Sequence, residues 1–257
     1  MHKIEASPAP PQEANLVNLL DSDFDGLTDE PKLALEYAQD FLTQLAKAAS
    51  SGWEGRPVPQ GVAGYLLPDI RGGEGDIDTI REVPVNRDIL FATDSRVFAL
   101  VPQGQMIRVD SGEHSAYMAM TLSTCSAIVG YTEHGGIIAA HISVSLKDEV
   151  AAVLQHFEEQ GVTPANTYIV LSDTPDFKGW NAPRVQDPGY FTARGIDPAH
   201  IAQFTYTEDY AGYSGLVDVT VGPQGVLMTH HDGVRTVHNK PRSKTTRTGR
   251  TLIVRQQ

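Results

Sequence analysis

The clearest pattern of apolar and polar positions lies in the middle of the chain. Thr121–Tyr131 and Ile137–Ser145 are rich in β-branched and small apolar residues and flank the sequence TEHGG, which predicts two strands joined by a turn. Leu146–Gln160 instead repeats apolar residues at helical spacing and is followed by Gly161, a residue typical of helix C-termini. The pattern therefore predicts a strand–turn–strand–helix unit at the centre of the fold.

Shorter apolar runs on both sides of this unit predict further elements. Thr167–Ser172 is typical of a buried strand, and Ala199–Phe204 is predicted to be a short helix. Four more short strands are predicted at Ile89–Ala92, Arg96–Val101, Leu216–Val221 and Gly225–Thr229. Together these elements indicate an α+β fold with mostly antiparallel strands.

The first sixty residues differ in pattern from the rest of the chain. Residues 1–14 mix Pro and Ala with charges and show no apolar period, so we expect them to be disordered. Glu30–Ala49 carries an apolar stripe at roughly helical spacing, which predicts a helix. We therefore expect a helical arm with an acidic loop at 15–60, followed by one main domain at 61–257.

Composition and charge narrow the classes of function. The chain of 257 residues has a formal net charge of −12, which argues against general nucleic-acid binding. No apolar run is long enough for a membrane span, and we expect no classical signal peptide, because the first residues lack an apolar core. The one cysteine, Cys125, excludes an intramolecular disulfide and any metal site built from several cysteines. The chemistry of that thiol is therefore the main question.

Cys125 and His141 fall on the two strands of the predicted central hairpin. If the turn centres on residue 133, they lie directly opposite each other, and if it centres on residue 134 they are diagonal neighbours. Both registers place the two side chains on one face, with Cβ atoms about 5 Å or roughly 7 Å apart. An imidazole at this distance can take the thiol proton and hold a thiolate–imidazolium pair. The alternative is a cysteine packed as a small apolar residue beside a core histidine.

The residues around Cys125 carry a resemblance to a known family. The sequence Leu122-Ser123-Thr124-Cys125, followed by an apolar strand and then by His141 within GIIAAHI, resembles the glutamine deamidase toxins. This family includes Burkholderia lethal factor and the catalytic domain of the cytotoxic necrotizing factors, whose signature is Leu-Ser-Gly-Cys. The arrangement is also similar to the Cys–strand–turn–strand–His unit of the chemoreceptor glutamine deamidase CheD. The resemblance covers residues 120–145.

This resemblance implies a β-sandwich flanked by helices and a thioester mechanism. Cys125 would be the nucleophile and His141 the general base and acid, with Leu122, Ser123 and Thr124 forming the motif beside the oxyanion site. The implied substrate is a glutamine side chain on another protein, and no cofactor is required. The implied location is the bacterial cytosol or, after delivery, the cytosol of a target cell. We expect a monomer. Transglutamination, in which an amine replaces water in the second step, stays open.

The sequence departs from the family pattern at two positions. Thr124 replaces the glycine of the signature, which adds a Cβ next to the oxyanion site. Ala119 stands where lethal factor and CheD carry a threonine six positions before the cysteine. The partner of His141 is therefore predicted to be Thr121 or a main-chain carbonyl. Three further polar residues precede the cysteine and are alternatives: Asp110, His114 and Ser115.

An acidic loop near the N-terminus resembles the beginning of a calcium-binding loop. Four carboxylates occupy its ligand positions 1, 3, 5 and 9: Asp21, Asp23, Asp25 and Asp29. Lys32 stands at position 12, where a bidentate acid is expected. The loop therefore predicts either a structural calcium site or an acidic cap for the helix that follows. A calcium-ordered protein-binding domain with an inactive deamidase-like core is the alternative function.

Overall fold

The computed structural model describes residues 58–68, 79–86, 90–92, 96–110, 112, 115–122, 125–142, 147–173, 185–205, 207–209, 212–214, 216–223, 225–232 and 246–254. Most of the predicted helical arm lies outside these residues, as do the predicted disordered segment and the acidic loop. Ser123 and Thr124 also lie outside them. Those expectations therefore stay predictions.

The described residues form fifteen strands. In chain order they are β1 (Val62–Leu66), β2 (Arg81–Val83), β3 (Leu90–Ala92), β4 (Arg96–Leu100), β5 (Gln105–Val109), β6 (Ser115–Leu122), β7 (Ser126–Tyr131), β8 (Ile137–Ile142), β9 (Thr167–Asp173), β10 (Ile201–Thr205), β11 (Thr207–Asp209), β12 (Gly212–Ser214), β13 (Leu216–Gly222), β14 (Gly225–Asp232) and β15 (Thr246–Val254). The strands are rich in Val, Ile, Thr and Tyr, which favour a pleated and half-buried surface.

Two large sheets account for most of these strands. The seven-stranded sheet has the order β10-β9-β7-β8-β5-β1-β2, and the six-stranded sheet has the order β15-β14-β13-β6-β4-β3. β11 and β12 form a separate pair. Neighbouring strands are antiparallel except for β9 with β10 and β4 with β6. The prediction of an α+β fold with mostly antiparallel strands is confirmed.

The main core lies between the two large sheets. Alternate residues of strands from both sheets join one apolar cluster, as the period-two alternation of side chains requires. Its members include Ile107, Val109, Ala127, Val129, Tyr168, Val97, Met118, Met120, Val219 and Val226. The hydroxyl of Tyr131 in β7 donates a hydrogen bond of 2.8 Å to the carbonyl of Gly222 in β13, which ties one sheet to the other. The fold is therefore a β-sandwich.

Two helices, α1 (Lys147–Glu159) and α2 (Gly189–Thr192), belong to the other face of the seven-stranded sheet. A second apolar cluster joins the buried face of α1, through Val150 and Phe157, to the outward residues of β7 and β8. The helix predicted at 146–160 is thus confirmed, and it is followed by Gly161 with a φ of 77°. Within the described part of the chain, neither helix is long and apolar enough to cross a membrane.

Gly130 marks the closest approach of β7 to α1 and the residues after it. A Cβ at this position would lie 2.6 Å from Val162 Cγ1 and 2.8 Å from a ring carbon of Phe157. Overpacking of this kind forces neighbours to shift, so we expect Gly130→Ala to lower the free energy of unfolding by about 2 kcal/mol. Urea unfolding measures the change. Gly112→Ala is the matched control, because among the described residues no atom lies within 4 Å of its added Cβ. Equal stability of the two variants would contradict the prediction.

Two predicted elements are wrong. The segment predicted as one strand at 121–131 contains the end of β6 and all of β7, which belong to different sheets. Apolar residues continue on both sides of the point where the chain passes from one sheet to the other, so the pattern does not indicate the break between the two strands. The segment predicted as a helix at 199–204 is mostly β10, which follows a short 3-10 helix at Pro198–His200. β10 pairs with β9 and places Ala202 and Phe204, two residues apart, in the main core. Period-two burial therefore outweighs the weak helical pattern.

Candidate active site

Two crossovers between the sheets meet at one end of the sandwich. The chain passes from β4 to β5 through Val101–Gly104, and from β6 to β7 past Cys125. The N–H of Val101 donates to the carbonyl of Ala119 in β6 at 2.9 Å, which fixes the start of the first crossover. The N–H of Gly104 donates to the carbonyl of His141 in β8 at 2.8 Å, which fixes its end. His141 therefore lies beside the point where the chain changes sheets.

The pairing of β7 with β8 sets the relation of Cys125 to His141. Ala127 is directly opposite His141, so the register is the one expected for a turn centred on residue 134. Cys125 precedes Ala127 by two residues and belongs to the same inter-sheet cluster, which makes it a diagonal neighbour of His141. Both residues are buried, with exposed fractions of 4% for Cys125 and 6% for His141.

The ring of His141 is oriented by a main-chain group. Its Nδ1 lies 2.9 Å from the carbonyl oxygen of Val101. A carbonyl can only accept a hydrogen bond, so Nδ1 carries the proton and Nε2 carries the lone pair. Nε2 is buried and has no hydrogen-bond partner among the described residues. The ring therefore presents a basic nitrogen inside the sandwich.

Burial also sets the charge of this ring. Desolvation lowers the pKa of His141 from 6.5 to about 4, and the hydrogen bond to Val101 opposes that shift only in part. The imidazole is therefore neutral at physiological pH. A neutral ring is ready to accept a proton during a reaction, but it does not hold a thiolate in the resting state.

Thr121 is not the partner of the histidine ring. Its neighbours Met120 and Leu122 belong to the inter-sheet core, so Thr121 lies on the opposite face of β6. Its hydroxyl donates a hydrogen bond of 2.6 Å to Asp218, the residue paired with it in β13. The main-chain alternative, the carbonyl of Val101, is the one observed.

The remaining predicted residues take other positions. Leu122 is fully buried in the core, and Ser115 begins β6 as an exposed residue. The carboxylate of Asp110 accepts from Arg108 Nε at 2.6 Å. His114 lies outside the described residues, as do the four aspartates of the acidic loop. Over the described ranges, no group of three or more His, Cys, Asp and Glu is placed to hold a metal ion.

The sequence did not single out two residues next to His141. Val101 contributes only its carbonyl, which every residue possesses. Gln105 lies directly opposite His141 across β5 and β8, and its position depends on a pairing between segments 36 residues apart. No local pattern signals either contact.

A surface cleft of about 440 Å³ lies at the other end of β8. The turn Thr132–His134 and the chain around Gly161 line it. β8 begins at Ile137, beyond the turn that lines the cleft, and His141 lies four residues further along this strand, a distance of roughly 13 Å. The cleft is therefore separate from the pair formed by Cys125 and His141.

Comparison with known proteins gives little additional information. No family model and no curated protein matches the chain. Among solved structures, the C-terminal domain of CNFy from Yersinia pseudotuberculosis aligns with a TM-score of 0.41 and 8% sequence identity, covering 86% of this chain and 97% of that one.

Proposed function

We propose that this protein is a cysteine–histidine hydrolase that deamidates a glutamine side chain of a target protein. The observation that carries the proposal is the state of His141. Its Nδ1 is bound to the carbonyl of Val101, and its Nε2, which has no hydrogen-bond partner among the described residues, lies beside the strand that begins next to Cys125. The resemblance of Leu122-Ser123-Thr124-Cys125 to the Leu-Ser-Gly-Cys signature supplies the reaction.

In the first step, His141 acts as a general base. The sulfur of Cys125 attacks the carboxamide carbon of the substrate while Nε2 of His141 takes the thiol proton. The carbonyl oxygen becomes an oxyanion, for which main-chain N–H groups beside Cys125 are the expected donors. The carbonyl of Val101 still accepts from Nδ1 and stabilises the imidazolium that has formed.

In the following steps, the same histidine acts as an acid and then again as a base. The imidazolium of His141 gives its proton to the leaving nitrogen, ammonia departs, and a thioester on Cys125 remains. His141 then activates water, the thioester is hydrolysed, and the product is glutamate. An amine in place of water would give transglutamination.

The surroundings of the pair favour a neutral substrate group. Cys125 belongs to the apolar core cluster, and burial keeps the neighbouring imidazole uncharged. A carboxylate or an ammonium group would lose its hydration on entering this layer, at a large cost in free energy. A primary carboxamide carries no charge and is presented by glutamine on a narrow, unbranched chain.

The direct test is mass spectrometry of cell lysates treated with the wild-type chain or with Cys125→Ser. We expect a glutamine residue of one or a few proteins to gain the mass that separates an acid from an amide, and only with the wild type. Lysates of bacterial and of eukaryotic cells are both needed, because the sequence does not name the target. Equal spectra for the two chains in both lysates, together with slow alkylation of Cys125, would contradict the proposal.

One observation favours a second function, a binding domain without catalysis. Cys125 has an exposed fraction of only 4% and lies in an apolar cluster, as an inert packed cysteine does. In that case Cys125 would react slowly with iodoacetamide at every pH below its ordinary pKa. The acidic loop at Asp21–Asp29 would then have its main role in ordering the chain around calcium. The rate of alkylation separates this alternative from the enzyme.

A further inference from the structure

We propose that the side chain of Gln105 binds the carboxamide of the substrate beside His141. This inference rests on the proposed function and names a residue that neither the motif nor the family resemblance includes. The inference is based on the position of Gln105 directly opposite His141 in the pairing of β5 with β8.

The pairing of β5 with β8 brings the two residues together. Gln105 is directly opposite His141, just as Ile107 is opposite Ala139 and Val109 is opposite Ile137. Side chains of directly opposed residues lie on the same face, with Cβ atoms about 5 Å apart. Ile107 and Val109 belong to the inter-sheet core, so Gln105 lies on that face as well.

Gln105 differs from its neighbours on this face in exposure and polarity. Ile107 and Val109 are buried and apolar, whereas Gln105 is partly exposed at the end of the strand. Its main-chain N–H donates to the carbonyl of Pro102 at 3.1 Å, and its side-chain carboxamide has no hydrogen-bond partner among the described residues. A partly exposed carboxamide, without a hydrogen-bond partner among the described residues, therefore lies on the same face as the buried ring of His141.

A glutamine side chain is suited to recognise another carboxamide. Its Nε2 can donate to the carbonyl oxygen of the substrate while its Oε1 accepts from the substrate nitrogen. When Cys125 attacks, the carbonyl oxygen gains charge and the bond from Nε2 becomes stronger. The carboxylate product has no N–H for Oε1, which then faces a negative oxygen. The side chain of Gln105 thus binds the carboxamide of the substrate more tightly than the carboxylate of the product.

Two small alkylating reagents test this pairing without knowledge of the target. Iodoacetamide carries a primary carboxamide, and iodoacetate carries a carboxylate in its place. With either reagent a sulfur–carbon bond forms at Cys125, iodide leaves, and the thiol proton passes to His141. Reaction with methyl methanethiosulfonate, which has no carbonyl group, corrects for access to the thiol. The measured quantity is the ratio of the iodoacetamide rate to the iodoacetate rate.

The informative variant is Gln105→Met, which keeps the length of the side chain and removes the amide. We expect it to lower the rate ratio about tenfold, as the loss of one or two hydrogen bonds requires. Gln103→Met is the matched control, because Gln103 is exposed in the same crossover, and its ratio should equal that of the wild type. Gln105→Thr, with a strand-favouring residue, replaces the first variant if thermal unfolding shows that the methionine disturbs the fold.

The outcomes separate this inference from the proposed function. An unchanged ratio in a folded Gln105 variant, or an equal loss in Gln103→Met, would overturn the role of Gln105 and leave the enzyme proposal standing. A wild-type Cys125 that reacts with none of the three reagents would overturn both. A ratio that falls only with the Gln105 variants supports the inference.

Discussion

Replacement of His141 by glutamine is expected to slow the reaction of Cys125 by a factor of roughly 10² to 10⁴, the usual contribution of a positioned general base. A glutamine amide can still donate to the carbonyl of Val101, so the crossover keeps its partner. It has no basic nitrogen, so the thiol loses Nε2 of His141 as its proton acceptor. The initial rate of alkylation by iodoacetamide at neutral pH measures the loss, and ammonia release measures it once a target is known.

His156→Gln is the control for this experiment. His156 is also a histidine of lowered pKa, but it lies on α1 and contacts the ring of Tyr65 on the other face of the sheet. We expect its replacement to leave the alkylation rate of Cys125 unchanged. A His141→Gln protein that is folded and reacts at the wild-type rate would show that another group activates the thiol.

The same histidine is expected to make the fold sensitive to acid. In the unfolded chain its pKa is near the ordinary value of 6.5, and in the folded protein it is about 4. Between these two values the unfolded chain binds a proton that the folded protein does not. The free energy of unfolding therefore decreases as the pH is lowered from 6.5 to 4, and this contribution stops changing below pH 4. The full loss corresponds to roughly 3 kcal/mol.

Comparison of the wild type with His141→Gln isolates this effect. Urea unfolding of both proteins at several values between about pH 7 and pH 4.5 gives the two free energies, provided that the slopes agree. Other titrating groups, including His156, are present in both proteins, so their contributions cancel in the difference. The wild type should lose stability relative to the variant as the pH falls. A difference that is constant with pH would show that His141 is not buried in its neutral form.

The sequence predicts those parts of the fold that one local segment determines. α1 and β8 each carry a complete pattern, and Thr132–Gly136 closes the turn between β7 and β8 with two main-chain hydrogen bonds. The crossover between β6 and β7 was missed, because Leu122 and Ser126 are buried in consecutive apolar runs whether or not the chain changes sheets. The pattern of apolar residues indicates that a segment is buried, but it does not indicate which of the two sheets the segment joins.

In the candidate site, too, some residues are placed by one local segment and others by the packing of distant strands. Cys125 and His141 could be paired from the sequence, because a short turn sets the register of their strands. The carbonyl of Val101 bonds to His141, and Gln105 lies opposite it, only because β5 lies next to β8 in the sheet. That strand order follows from the packing of the whole sandwich. Of the two predicted partners of the ring, a main-chain carbonyl is the one observed, and the alternation of β6 turns Thr121 toward Asp218 instead.

The group that orients His141 belongs to the main chain. The first and last residues of the crossover, Val101 and Gly104, therefore differ in how well they tolerate mutation. Any apolar residue that fills the space of Val101 provides the same carbonyl, so a random change there rarely removes the partner of the ring. Gly104 has a φ of 74°, and its N–H holds the carbonyl of His141, so a side chain at this position strains the backbone that positions the base. We therefore expect apolar residues of similar size to replace Val101 at little cost to the site, whereas any replacement of Gly104 should displace the main chain that positions His141.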